Sequence, residues 1–153
     1  MSEYRIEKYR LPVAVTLLGG ERLAGDVFVQ SHARYRAGPE DAGDLLNSAE
    51  AFFPIATEGD THIVAKEMVI EVEADLIGED DALRRGSSAY ALVEITLADG
   101  TARTGSVFLE APIERPRLLD FLNFHTLRFL TLHTVDGARL INRRHIARVR
   151  PLD

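Results

Sequence analysis

The chain contains no cysteine among its 153 residues, which removes disulfide frameworks and thiolate metal sites from consideration. It also lacks any apolar run long enough to cross a bilayer. The opening segment, M-S-E-Y-R-I-E-K-Y-R, alternates charged with aromatic residues and has none of the apolar stretch of a secretory signal. A reducing, cytoplasmic setting without a membrane is therefore the expectation. Positive charge is in short supply too: 18 Lys and Arg stand against 24 Asp and Glu, a formal net charge of −6. That balance argues against general binding to a phosphate backbone, which needs a basic face to exploit counterion release.

Catalytic signatures are missing as well. His32, His62, His125, His133 and His145 are scattered, without the paired spacing of a metal site. There is no G-x-S-x-G elbow and no phosphate loop ending in Lys-Ser/Thr. The glycine pair Gly20 and Gly25 has phosphate-loop spacing but lies between strands, without the Lys or the following helix. No catalytic residue, metal ligand, cofactor or small-molecule substrate is assigned, and an enzyme is not expected.

What the chain does contain is a repetition. A-V-T-L-L-G-G-E-R-L-A-G-D-V-F-V, Ala14 to Val29, is echoed by V-E-I-T-L-A-D-G-T-A-R-T-G-S-V-F-L, Val93 to Leu109. Each copy has an alternating strand, a Gly turn (Gly19-Gly20, then Asp99-Gly100) and a second strand interrupted by a further glycine, Gly25 or Gly105. That pattern predicts a hairpin with a marked kink.

Along the first copy, Leu11 to Leu17 predicts one strand, with Pro12 near its start, and Leu23 to Gln30 a second. Ser31 to Gly43 is polar and broken by Gly38-Pro39, hence loop, and a short helical turn follows at Asp44-Leu-Leu-Asn47. Asp44 suits the start of that turn and Asn47 its end. Phe52 to Thr57, Thr61 to Ala65 and Met68 to Ala74 complete five strands, with Lys66-Glu67 as a tight corner. The second copy follows at an offset of 80 in the hairpin, 76 around Asp120-Phe-Leu-Asn123 and 77 at the end. Phe53 is thereby matched with Phe129, Lys66 with Arg143, Val69 with Ile146 and Val72 with Val149. Leu76 to Ser88 is charged, Gly-punctuated and without periodicity. The predicted organisation is a first β-barrel repeat at 1–76, a linker at 77–88 and a second repeat at 89–153.

Five short strands with a bent second strand and a corner before the last predict a small antiparallel barrel. The pattern resembles the Sm-like family of SH3-type barrels, through V-x-V-x-L-x-x-G at Val13 to Gly20 with Gly25, closing at Lys66 to Val72. In the second copy the matching residues are Val93 to Gly100 with Gly105, closing at Arg143 to Val149. The chain also resembles a bacterial family of uncharacterised duplicated proteins bearing D-[LF]-L-N, a likeness that implies no activity. The Sm-like resemblance implies a mostly β chain of two tandem five-stranded barrels, each with a short inserted helix. It does not carry over the family's uridine pocket. Gln30 and Glu110 stand where an Asp is sought, the corners lack glycine, and Asn47 and Asn123 follow long insertions.

Two sets of residues remain as candidates. Leu118, Leu119 and Phe124 of R-L-L-D-F-L-N-F replace Ala42, Gly43 and Ser48 of the first copy. Phe121 and Leu122 suffice to seat the second helix on its own barrel, so the three extra apolar residues need another surface. They either seal the contact between the barrels or form an exposed patch for a protein partner or self-association. The second set, Arg139, Arg143, Arg144, Arg148 and Arg150, is either a solvated, aggregation-resistant strand or a contact for acidic protein or nucleic acid. The expected function is a non-catalytic protein-binding or assembly module. The alternative is an Sm-like nucleic-acid-associated protein using those arginines.

Overall fold

Alternating apolar residues and glycine turns place the first strands. In a computed structural model, which describes residues 8–31, 33, 38–74, 90–109 and 118–152, strand β1 (Lys8–Leu17) pairs along its length with β2 (Arg22–Gln30). The turn between them needs a left-handed residue, and Gly20 supplies it with φ +100°. At Gly25 a side chain is impossible for another reason: a Cβ would fall on the carbonyl oxygen of Ala56. That close approach lets β2 cross onto β3 (Phe52–Thr57), with Asp26 opposite Ala56. Pro12 is tolerated in β1 because pairing on the other side of that strand begins only at Val13.

Helix α1 (Ala42–Leu46) sits between β2 and β3. Its N-cap is Asp41, one turn ahead of the residue the sequence favours. Asp41 and Asp44 exchange side-chain-to-backbone bonds in a capping box, and Asn47 is the C-cap. Strand β4 (Asp60–Ala65), a 3-10 turn at Lys66–Met68 and β5 (Val69–Ala74) complete the half.

The second half repeats this order as β6 (Tyr90–Leu97), β7 (Ala102–Phe108), helix α2 (Leu118–Phe124), β8 (Phe129–Thr134), β9 (Gly137–Asn142), a 3-10 turn at Arg143–His145 and β10 (Ile146–Pro151). Gly100, φ +91°, takes the place of Gly20, and a Cβ at Gly105 would lie 2.5 Å from the carbonyl oxygen of His133. One match shifts by a residue. Phe52 pairs with Ala65 ahead of Lys66, and Phe129 with Asn142 ahead of Arg143, so Phe129 corresponds to Phe52 and not to Phe53.

The chain is mostly β. The ten described strands form one antiparallel sheet in the order β10-β6-β7-β8-β9-β5-β1-β2-β3-β4, open at β10 and β4. Where the sequence predicts two barrels joined by a linker, strand pairing runs from one half into the other. The reason is that β5 and β9 each end their own half with an unpaired backbone edge, and joining them satisfies both. The expected linker, 77–88, lies outside the described residues. Two apolar cores form, one under β1–β5 around Val15, Ile55 and Val69, the other under β6–β10 around Val93, Ile95 and Leu132.

Candidate functional site

The joint between the halves is where most of the polar chemistry gathers. Antiparallel pairing sets Glu71 opposite Ile141, Val72 opposite Leu140 and Glu73 opposite Arg139. Glu71 is buried, and its charge is met from two strands of the other half. Arg103 on β7 forks onto both carboxylate oxygens at 3.0 and 2.8 Å, and Arg139 on β9 adds a bond of 2.6 Å. A buried carboxylate without such partners would carry a prohibitive desolvation cost. Its hydrogen bond to Glu71 holds the Arg103 guanidinium above its ordinary pKa, against the opposing effect of burial. Burial pushes the neighbouring Glu73 carboxyl up, but the hydrogen bond from Arg22 and the charges of Arg139, Arg22 and Arg103 outweigh it and hold the group below its usual range.

Apolar groups cross the joint in both directions. Phe129 and Leu140 of the second half are buried in the first core, and Ile70 of the first half is buried in the second. Helix α1 receives the incoming pair: Leu140 packs over Gly43, and Asn47 Oδ1 accepts a 2.8 Å hydrogen bond from the Phe129 amide. Asn142 is wholly buried, donating to the carbonyls of Lys66 and Val69 and accepting from the Arg144 amide. His145 Nε2 lies 2.6 Å from the Glu67 carbonyl oxygen. An Asn at the end of a helical turn signals a cap in sequence. Nothing in the sequence signals that its side chain also holds a strand from 82 residues away.

The basic corners serve the helices. Lys66 is fully buried, and its Nζ donates to the Leu45 carbonyl at 2.9 Å, the Ser48 carbonyl at 3.2 Å and the Ser48 hydroxyl at 3.0 Å, closing the C-terminal end of α1. Burial first, then the charge of Arg128, lowers its pKa to about 8, with Glu50 opposing. Arg143 does the same for α2, donating to the Leu122 carbonyl at 2.9 Å.

The remaining arginines are dispersed. Arg139 is committed to Glu71 and Glu73, and Arg150 reaches Glu94 at 3.2 Å along the exposed face of β10. Arg144 and Arg148 are exposed. Arg139 and Arg143 are thus drawn away from the sequence cluster, and Arg144, Arg148 and Arg150 are the exposed remainder on or next to β10.

On α2, Leu118, Phe121 and Leu122 pack against the second core, whereas Leu119 is 68 % and Phe124 75 % exposed. Leu119 and Phe124 lie outside the joint between the halves. At the other end of the sheet, Phe52 on β3 and Ile63 on β4 are also exposed, at 57 % and 74 %. Sequence alternation alone did not separate these two from core residues.

An open cleft of about 320 Å³ lies between β1, the end of β5 and the β8–β9 turn, but its charged lining, Glu73, Asp136 and Arg139, includes two groups already committed to the ion network. Among the described residues no group of three or more His, Asp or Glu is placed to hold a metal ion, and no helix is long and apolar enough to cross a membrane. Comparison with protein-family models, with curated proteins and with solved structures finds no match to this chain.

Proposed function

We propose that the chain is a non-catalytic protein-binding or assembly module, built from two Sm-like β units in tandem, that engages partners by strand addition at the open ends of its sheet. The observation that carries this reading is the β5–β9 joint, in which one half of the chain docks on the other by edge pairing and by inserting Phe129 and Leu140 beside a short helix. The open ends carry the same kinds of group, still uncovered: Phe52 and Ile63 by β4, Leu119 and Phe124 on α2. Edges with adjoining apolar patches are what strand-adding interactions use.

A barrel-like curl of each half is supported by burial. The first core takes fully or nearly buried residues from all of β1–β5, yet among the described residues the helix over it is the five-residue α1. A flat sheet with so little described cover would leave that face wet, which favours a sheet bent over its own core.

Nucleic-acid contact through Arg139, Arg143, Arg144, Arg148 and Arg150 is the weaker reading, because three of the five are engaged with carboxylates or a helix end. The test is affinity capture from native lysate with the full chain as bait, with and without nuclease, beside the Leu119→Glu/Phe124→Glu variant. Protein capture that survives nuclease and is lost in the variant is expected. Capture that nuclease abolishes would promote the arginine reading.

A further inference from the structure

We infer that the open edge of β10 takes an acidic strand from another protein, a short extended segment in which Asp or Glu alternates with small apolar residues. This rests on the strand-addition reading above and names the partner's chemistry at one end of the sheet. The internal joint is the template. Strands β5 and β10 hold equivalent places, each paired with the first strand of its own half. Glu71, Val72 and Glu73 lie opposite Thr16, Val15 and Ala14, and Arg148, Val149 and Arg150 lie opposite Thr96, Ile95 and Glu94. On its other side β5 is paired with β9, which sets Glu73 opposite Arg139. On its other side β10 has no described strand.

The two edges carry opposite charge. Where β5 presents Glu71 and Glu73 to arriving arginines, β10 presents Arg148 and Arg150, both exposed. A strand that docks on β10 as β9 docks on β5 therefore carries carboxylates where β9 carries Arg139, and opposite charges across strands attract. Arg144, exposed at the start of the same segment, extends the positive strip. Arg150 touches Glu94 through Nε at 3.2 Å while 58 % of its side chain stays exposed. A surface pair of that kind contributes little, so the arginine can take a second carboxylate.

Backbone and helix set the rest of the segment. The Leu152 amide donates to the Leu92 carbonyl, so Arg150 and Leu152 turn their backbone groups towards β6, and Val149 turns its N–H and C=O to the open side. Pro151, next on that side, has a carbonyl but no N–H. Pairing is thus centred on Val149 and stops at Pro151, much as pairing of β5 with β9 is centred on Val72 and stops at Glu73. In that inner joint Leu140, opposite Val72, packs over Gly43 of α1. The place of Gly43 on α2 is held by Leu119, so the residue opposite Val149 must be smaller than leucine, such as Ala or Val. The exposed Leu119 and Phe124 then gain cover from the apolar side of the segment. A strand like β9, with Leu140 beside Arg139, is the wrong occupant on both counts. A phosphate backbone would meet the arginines but leave the Val149 donor and acceptor unused, whereas an added strand uses both.

Fluorescence anisotropy of the full chain with labelled synthetic peptides tests this. The probe alternates Glu with Val and Ala. One control has Lys for each Glu, and a second keeps Glu but carries N-methyl groups on the amides that a ladder uses. The Glu probe should bind, more weakly as salt rises, and both controls should bind at least about tenfold less. Arg148→Glu/Arg150→Glu gives β10 the charges of β5 and should reverse the preference, losing the Glu probe and gaining the Lys one. Should that variant fail to melt cooperatively, Arg148→Gln/Arg150→Gln, which removes the charge alone, should weaken the Glu probe about tenfold. Equal affinity for the Glu and Lys probes would overturn the charge assignment, and undiminished binding of the N-methylated probe would overturn strand pairing. A uridine-rich oligomer that binds more tightly than the Glu probe would overturn the inference in favour of nucleic acid. Absence of Glu-probe binding overturns it outright, while the lysate experiment still decides the module reading on its own.

Discussion

Lys66 shows how a single buried cation can be both a structural brace and a cost. Its three donors close the end of α1, yet its surroundings favour the neutral amine and lower the pKa to about 8 from an ordinary value of 10.5. Between those values the unfolded chain holds a proton that the folded chain has released, so raising the pH stabilises the fold. The slope reaches about 1.4 kcal/mol per pH unit at most. Wild-type stability should rise relative to Lys66→Met from pH 8 to 10.5 in urea denaturation followed by circular dichroism. At pH 7 the variant should be less stable by about 1–3 kcal/mol, because the Leu45 and Ser48 carbonyls lose their donor. Glu71 belongs to the same scale. Glu71→Gln removes the charge that Arg103 and Arg139 share and should cost about 3 kcal/mol by the same assay. A loss below about 1 kcal/mol would show that the arginines find water instead.

At the scale of elements, the kinked second strand decides the path of each half. Gly25 and Gly105 lie against the carbonyls of Ala56 and His133, where β2 meets β3 and β7 meets β8. A methyl group at either position forces the strands apart, so Gly25→Ala and Gly105→Ala should each destabilise by about 1–3 kcal/mol. Gly19→Ala, with open space around its Cβ and no left-handed φ, should leave the thermal midpoint unchanged. The inserted helices diverge in use. Helix α1 is covered by the second half through Asn47 and Gly43, so Asn47→Ala should lower the midpoint by several degrees, the equivalent of about 1 kcal/mol. Helix α2 has the same anchoring at its C-terminal end, where Arg143 replaces Lys66, but keeps an apolar outer face.

For the molecule as a whole, the joint makes two units into one continuous sheet whose ends are unlike: arginines by β10, carboxylates by β4. Net charge stays negative at −6, and four of the seven described arginines of the second half, Arg103, Arg139, Arg143 and Arg150, are engaged by internal partners. Fluorescence anisotropy with uridine-rich and adenine-rich oligomers should therefore show binding weaker than about 1 μM at physiological salt. Tight, salt-sensitive binding abolished by Arg144→Ala with Arg148→Ala would reverse the ranking of the two functional readings.

Alternation and turn glycines are local properties, and from them the sequence alone determined the strands of the first half, the turns at Gly20 and Gly100, the correspondence of Lys66 with Arg143 and the presence of an inserted helix ending at Asn47, though not its start at Asp41. It also singled out Leu118, Leu119 and Phe124 as surplus to the packing of one helix; Leu118 in fact packs against the second core, and only Leu119 and Phe124 are exposed. Pairing between halves depends on contacts between residues remote in sequence, which no local period encodes. So nothing in the M-V-I-E-V-E-A pattern of Met68 to Ala74 marks Glu71 as buried, and only the fold brings Arg139 of β9 and Arg103 of β7 to it. Phe52 and Phe129, alike in sequence, were separated into an exposed and a buried side chain only by which edge of the sheet the other half had already filled.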